Sequence, residues 1–136
     1  MQKVTGSAAE TIELGRALAE RLGPGDVVAF FGELGSGKTT MIKGIAAGLG
    51  VTETVRSPSF VIVTEYRGRV PVFHVDLYRL EGSSAPEGIG LEDYLGGDGV
   101  CLIEWAERAE GFIPKSAIRV RLAAVEAGRS VSVEFP

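Results

Sequence analysis

In the stretch "DVVAFFGELGSGKTTMIKG" an apolar run leads directly into a glycine-rich turn, and this junction constrains the fold more than any other feature of the chain. A short run this apolar, entered through the break "GPG", reads as a strand buried on both faces of a parallel sheet. Gly32, Gly37, Lys38 and Thr39 then satisfy G-x-x-x-x-G-K-[ST], with Gly35 as an additional glycine. Beyond them Met41, Ile42, Ile45, Ala46 and Leu49 fall on one helical stripe that stops at Gly50. Strand, glycine loop and helix in this order point successive backbone N–H groups at phosphate oxygens, and the helix dipole adds positive potential. Lys38 supplies a mobile charge for the β- and γ-phosphates, and the Thr39 hydroxyl is a hard oxygen ligand suited to Mg²⁺. A chance glycine turn before a helix would not need the whole pattern between a buried strand and a helix. Thr40 either hydrogen-bonds the α-phosphate or fills the first helical turn.

The rest of the chain leaves limited room around that loop. A length of 136 residues predicts one domain spanning 1–136, with about two-thirds of the unfolded surface buried. The balance of 14 Lys+Arg against 18 Asp+Glu, a net charge of −4, argues against a broad electrostatic footprint for nucleic acid or an acidic membrane. The single cysteine, Cys101, excludes an internal disulfide and a cysteine-rich metal site. No stretch has the length and apolarity of a membrane span or a secretory leader, so a cytoplasmic location is expected.

Ser7 and Glu10 form a capping box ahead of Leu14, Leu18 and Leu22, which predicts a helix from about 7 to 22. "SFVIVTEYRGRVPVFHVDLYRL" reads as a β-hairpin turning at Arg67 to Arg69, with Pro71 pointing to an edge strand. A short helical stretch is expected around Leu91 to Leu95, a second buried strand in "GVCLIEW", and a short helix in "AERAEGFIP". "AIRVRLAAV" and "RSVSVEF" alternate as a closing antiparallel pair.

Several side chains outside the loop are candidates for chemistry. Glu104 ends the apolar run "VCLI", where a carboxylate either holds the water shell of a metal or merely ends a strand at the surface. His74 and Asp76 share one strand face, opposite Val75 and Leu77. That pair is either a switch carboxylate with a structural histidine or a solvated face. Neither Asp76 nor Glu104 is expected in the core, and Lys38 is expected on an exposed loop. Trp105 reads as packing rather than a nucleotide stacker. Arg56, Arg79 and Arg129 are either charge stabilisers or solvated surface residues.

A GTPase would need an Asn-Lys-x-Asp guanine reader, and the chain contains no Asn. An ABC-type ATPase would need a Ser-Gly-Gly signature, which is missing. A small-molecule kinase fits a glycine loop on a small α/β domain, although the hairpin after the loop helix leaves little room for an acceptor-binding subdomain. A non-hydrolysing nucleotide-dependent binding module is the third reading.

"GELGSGKTT", "SPSFVIVTEY", "FHVDLYRL" and "LIEW", in this order and at these spacings, resemble the bacterial TsaE (YjeE) family, the ATPase component of tRNA threonylcarbamoyladenosine synthesis. The resemblance runs from "ETIELGRALAERL" through "GRSVSVEF". It implies that Gly35, Ser36, Gly37, Lys38, Thr39 and Thr40 hold the phosphates of ATP, and that Thr39 and Glu104 hold Mg²⁺. It further implies that Ser57, Pro58, Ser59 and Phe60 form a switch, with Ser59 keeping the hydroxyl of the family's usual Thr. Asp76 matches the acidic residue needed for hydrolysis, which makes Asp76, Glu104 and Lys38 the implied catalytic set. Trp105 matches the family's tryptophan, and Arg129 falls near the strand that closes over the nucleotide. The family is similar in role to a reset switch on two partners, the sugar-kinase-like TsaB and TsaD, with tRNA gripped by the complex and no membrane involved. Slow ATP hydrolysis by the chain alone is expected. The fold implied is α/β, a P-loop NTPase-like three-layer α/β/α with a mixed sheet, a β-hairpin after the P-loop helix and antiparallel strands at the carboxyl end.

Overall fold

The computed structural model describes residues 1–33, 35–55, 63–78 and 90–136. In chain order its elements are β1 (Gln2–Thr5), α1 (Ala8–Ala19), β2 (Val27–Phe31), α2 (Lys38–Gly48), β3 (Val63–Arg67), β4 (Pro71–Asp76), β5 (Val100–Glu104), β6 (Ile118–Val125) and β7 (Gly128–Glu134). Two 3₁₀-helical segments, Leu91–Tyr94 and Ala106–Phe112, flank β5. The strands form one sheet in the order β1-β7-β6-β2-β5-β4-β3. At its centre β6, β2, β5 and β4 run parallel, and β3, β7 and β1 add antiparallel pairings outside them.

Alternation of side chains assigns the two faces. Val28 and Phe30 of β2, with Val100 and Leu102 of β5, pack against Leu18, Met41, Ile42 and Ile45 of the two long helices. Val27, Ala29, Phe31, Cys101 and Ile103 point the other way, where Leu91, Ala106, Ala109 and Ile113 cover them. Among the described residues the second covering layer is therefore built from 3₁₀ turns, and the mixed three-layer α/β arrangement expected from the sequence is present. Every residue of β2 and of β5 is buried, as their unbroken apolar runs require. Burial also pushes the Cys101 thiol up to about 12, which leaves it a packing residue.

Half of the capping box forms: the Glu10 N–H donates to Ser7 Oγ at 3.2 Å, while Glu10 Oε1 accepts at 3.3 Å from the N–H of Gly6, one residue before the N-cap. Helix α1 ends at Ala19, and Leu22 still reaches the core through the turn that follows. The edge suggested by Pro71 is corrected. Pro71 is the first residue of β4, which lies between β5 and β3, and the edge strand is β3. A proline is accommodated at a strand's first residue because few ladder bonds are yet required there. Strand β1 carries no readable alternation, with three of its four residues exposed. Among the described residues no helix is long and apolar enough to cross a membrane.

Helices α1 and α2 meet at glycines. A Cβ on Gly44 would lie 2.1 Å from the Ile12 carbonyl oxygen, and one on Gly15 would lie 2.4 Å from that of Met41. Since these neighbours are backbone, the helices would have to separate. Gly44→Ala is therefore expected to lower stability by about 1–3 kcal/mol, even though Ala gains helix propensity. A drop in the urea midpoint at unchanged m reports it, and a midpoint equal to or above wild type would contradict the close contact.

Candidate active site

The carboxyl ends of the parallel strands β2, β5 and β4 converge on one rim, the usual place for a ligand in an open α/β sheet. Strand β2 delivers the glycine loop, and α2 begins at Lys38 with Gly37 as its N-cap at φ 102°. This left-handed conformation favours glycine, and a Cβ there would also meet the Arg129 and Leu122 side chains at 3.6 Å. The stem of Arg129, on β7, thus lies against the loop. Its Nη1 donates to the Gly128 carbonyl at 3.0 Å. Thr40 sits half-buried in the first turn of α2.

Strand register sets the other side of the rim. Asp76 of β4 pairs with Glu104 of β5, which in turn pairs with Phe30 of β2. Two carboxylates therefore stand side by side at adjacent strand ends. Thr39 Oγ1 donates to Glu104 Oε1 at 2.7 Å, and His74 Nε2 lies 2.5 Å from Glu104 Oε2. Asp76 Oδ1 accepts from the Tyr78 N–H at 2.9 Å. His74 and Asp76 do share one face of β4, but it is not a solvated one. His74 is fully buried, and Glu104 is only 3% exposed, so the expectation that Glu104 lies outside the core is corrected. The physical reason is that the α2 side of the sheet is covered up to the last residue of β5, and Glu104 is tolerated there because both its oxygens are hydrogen-bonded.

Lys38 is likewise corrected from exposed to buried, at 4% exposure. Its Nζ donates to the carbonyls of Gly32 and Glu33, and the Trp105 ring centroid lies 3.9 Å away. The ammonium thus spans the mouth of the loop. Burial lowers the Lys38 pKa against the opposing pull of Glu107, Glu104, Asp76 and Glu33. Ser36 fits a phosphate ligand: its Oγ is buried within the loop without a hydrogen-bond partner, a vacancy that a phosphate oxygen would fill. Trp105 contacts the Tyr78 ring at 5.0 Å and is the one non-glycine residue with positive φ among those described.

The proposed switch residues Ser57, Pro58, Ser59 and Phe60, and also Arg56 and Arg79, lie outside the described residues. One residue at the rim escaped the sequence reading. Glu107 Oε2 accepts from the Gly32 N–H at 3.2 Å, across 75 positions of chain, so no local pattern could have revealed it.

The sequence model of the family "Threonylcarbamoyl adenosine biosynthesis protein TsaE" matches residues 5–131. The chain belongs to the TsaE family. It is similar to the tRNA threonylcarbamoyladenosine biosynthesis protein TsaE of Bacillus subtilis, with 45% identity over 82% of this chain and 70% of that protein. The Treponema pallidum protein of the same name is 37% identical over 98% of this chain and 99% of its own length. A crystal structure of Bacillus subtilis YdiB superposes with a TM-score of 0.85 at 34% identity, covering 99% of this chain and 84% of the other. Membership of TsaE places the chain in tRNA threonylcarbamoyladenosine biosynthesis and makes it a nucleotide-binding P-loop protein.

In this TsaE chain the two neighbouring carboxylates are driven apart in acidity. Burial alone would raise Glu104, but hydrogen bonds from His74 and Thr39, with the Lys38 ammonium nearby, outweigh it and hold the carboxyl below its ordinary value. Asp76 is raised, first by burial and then by the charge of Glu104, against the Tyr78 N–H and the neighbouring His74 and Lys38 side chains. A pair so separated can divide its work, one member staying ionised and the other poised to take a proton. Among the described residues no cluster of three or more His, Cys, Asp or Glu side chains is built to hold a metal ion. Mg²⁺ commonly needs only one or two protein oxygens when phosphates and water complete its octahedron, and Thr39 Oγ1 and Glu104 Oε1 are suitable donors.

Proposed function

We propose that this chain, acting as one domain, is the Mg²⁺-dependent ATP-binding and ATP-hydrolysing subunit for threonylcarbamoyl modification of the adenosine 3′ of the anticodon in tRNAs decoding ANN codons. In this reading it works in the cytoplasm as a turnover switch on the sugar-kinase-like TsaB and TsaD, which hold the tRNA. The observation that carries the reading is the link from Thr39 at the start of α2 to Glu104 at the end of β5, with Asp76 in register beside it.

The loop N–H groups from Gly35 to Thr40, with Ser36 Oγ, receive the phosphates, while Lys38 reaches the β- and γ-phosphates from the rim. Arg129 closes the opposite flank. Thr39 and Glu104 hold Mg²⁺, which supplies charge neutralisation at the phosphate oxygens. Asp76, with its raised pKa, acts on the step after binding, accepting a proton from the attacking water or holding the switch that positions it. The sole glutamine, Gln2, is on the edge strand β1 and cannot orient that water. Because partners complete the site, hydrolysis by the isolated chain is expected to be slow.

The test combines the purified chain, ATP, Mg²⁺, both partners and tRNA, and follows phosphate release together with tRNA modification. Both are expected to be stimulated only in the full mixture. Asp76→Ala is expected to bind ATP as wild type does and to support a single round of modification without further turnovers. Multiple turnovers at the wild-type rate would remove Asp76 from the switch, and phosphate transfer to a small acceptor without partners would replace the whole reading with a kinase.

A further inference from the structure

The Gly32–Glu107 contact has no part in the mechanism above, yet it places a carboxylate at the mouth of a loop built for anions. Glu107 is an exposed residue near the start of the 3₁₀ segment Ala106–Phe112, three positions after Glu104. The chain brings it back over the rim because Trp105, between them, adopts a left-handed conformation at φ 59°. Its Oε2 takes the N–H of Gly32, the first glycine of the loop, while the carbonyl of the same residue receives Lys38 Nζ. Glu107 and the lysine ammonium thus meet at one residue, on the two peptide groups that flank its Cα, and of the four carboxylates that act on Lys38, Glu107 acts most strongly.

An anionic oxygen that accepts the N–H of the residue whose carbonyl holds the loop lysine competes with the terminal phosphates for the lysine's charge, while the phosphate cradle itself, Gly35 to Thr40, lies beside it. We propose that Glu107 is a carboxylate gate: it balances Lys38 when no nucleotide is bound, and the terminal phosphates of a nucleoside triphosphate must displace it or bind against its charge. This deepens the ATP reading and rests on it. Because Lys38 serves the β- and γ-phosphates, the opposition falls most heavily on a triphosphate and less on a diphosphate. Glu107 in this role sets affinity and the preference between nucleotide states, and it takes no part in bond cleavage. An active-site carboxylate whose removal strengthens substrate binding is the distinguishing consequence.

The experiment measures the affinity of the full chain for a non-hydrolysable ATP analogue and for ADP, each with Mg²⁺, by titration calorimetry. Glu107→Gln keeps an oxygen able to accept from Gly32 while removing the charge. It is expected to bind the triphosphate analogue about five- to tenfold more tightly than wild type and to gain less for ADP. Glu107→Asp, which keeps the charge, is expected to gain nothing. The advantage of the Gln variant should shrink as salt rises from low to physiological concentration, which a purely structural effect would not do. Unchanged or weaker triphosphate binding by Glu107→Gln overturns the proposal. Wild-type protein that binds no triphosphate would overturn the ATP reading and the gate together, so the two failures are told apart.

Discussion

Lys38→Ala is expected to lower affinity for ATP by about 30-fold to a few thousand-fold, the equivalent of about 2–5 kcal/mol for truncating one member of a desolvated charge contact. The size follows from where the ammonium lies. Lys38 is buried at the loop mouth, tied to the Gly32 and Glu33 carbonyls and capped by the Trp105 ring. Its rotamer is thus already chosen before phosphate arrives, so little ordering entropy remains to be lost on binding. Truncation also leaves the Gly32 and Glu33 carbonyls short of a donor, so stability should fall by about 1 kcal/mol as well. Calorimetric titration beside a denaturant melt separates the two effects. Affinity within threefold of wild type, with the fold intact, would show that the loop holds phosphate without the lysine.

Glu104→Ala has the second large effect, and it divides into two parts. Loss of the carboxylate removes the acceptor of Thr39 Oγ1 and of the fully buried His74, whose Nδ1 already lacks a partner. That is expected to cost about 1–3 kcal/mol of stability. It also removes the oxygen assigned to Mg²⁺, so the tightening of ATP binding by the ion should disappear. Glu104→Gln keeps the volume and an acceptor oxygen, and should recover most of the stability but not the Mg²⁺ dependence. If Mg²⁺ strengthens ATP binding equally in both variants and in wild type, Glu104 is not a metal ligand.

The same residue gives a pH signature with a definite sign. Its folded pKa lies below the ordinary 4.5, so the stability it contributes is complete above that value and is lost as pH falls toward the lowered one. Wild type should therefore lose stability more steeply on acidification than Glu104→Gln. Asp76 works in the opposite direction. Its folded pKa is raised, so the folded state binds more protons and stability declines as pH rises through that window.

What could be read from the sequence was local. An apolar run followed by the glycine pattern and an amphipathic stripe specified β2, the loop and α2, because backbone conformation there is dictated by neighbours in the chain. The alternation in "FHVDL" correctly put His74 and Asp76 on one face. It said nothing about what covers that face, which is why a structural and a solvated His74 stayed equally open, and nothing in the run "VCLI" showed that Glu104 is covered as well. Burial of a polar residue depends on a partner elsewhere: Thr39 is 65 positions from Glu104 and His74 is 30. Lys38 was singled out but misplaced, because the pattern names the residue and not the path its side chain takes. Pro71 misled for a related reason, since its donor is missing wherever the strand sits and only the sheet order shows which position tolerates that.

The contact between Tyr78 and Trp105 joins two chain exits. Tyr78 follows Asp76 by two residues as β4 ends, and Trp105 follows Glu104 immediately as β5 ends. Their rings meet at 5.0 Å, and a tryptophan at φ 59° carries about 1–3 kcal/mol of backbone strain that such contacts must offset. The separation of the two carboxylates is consequently fixed twice, by the β4–β5 ladder beneath and by an aromatic clasp above. Movement of one strand exit away from the other would have to break this contact, so this half of the rim resists opening and acts as an anvil.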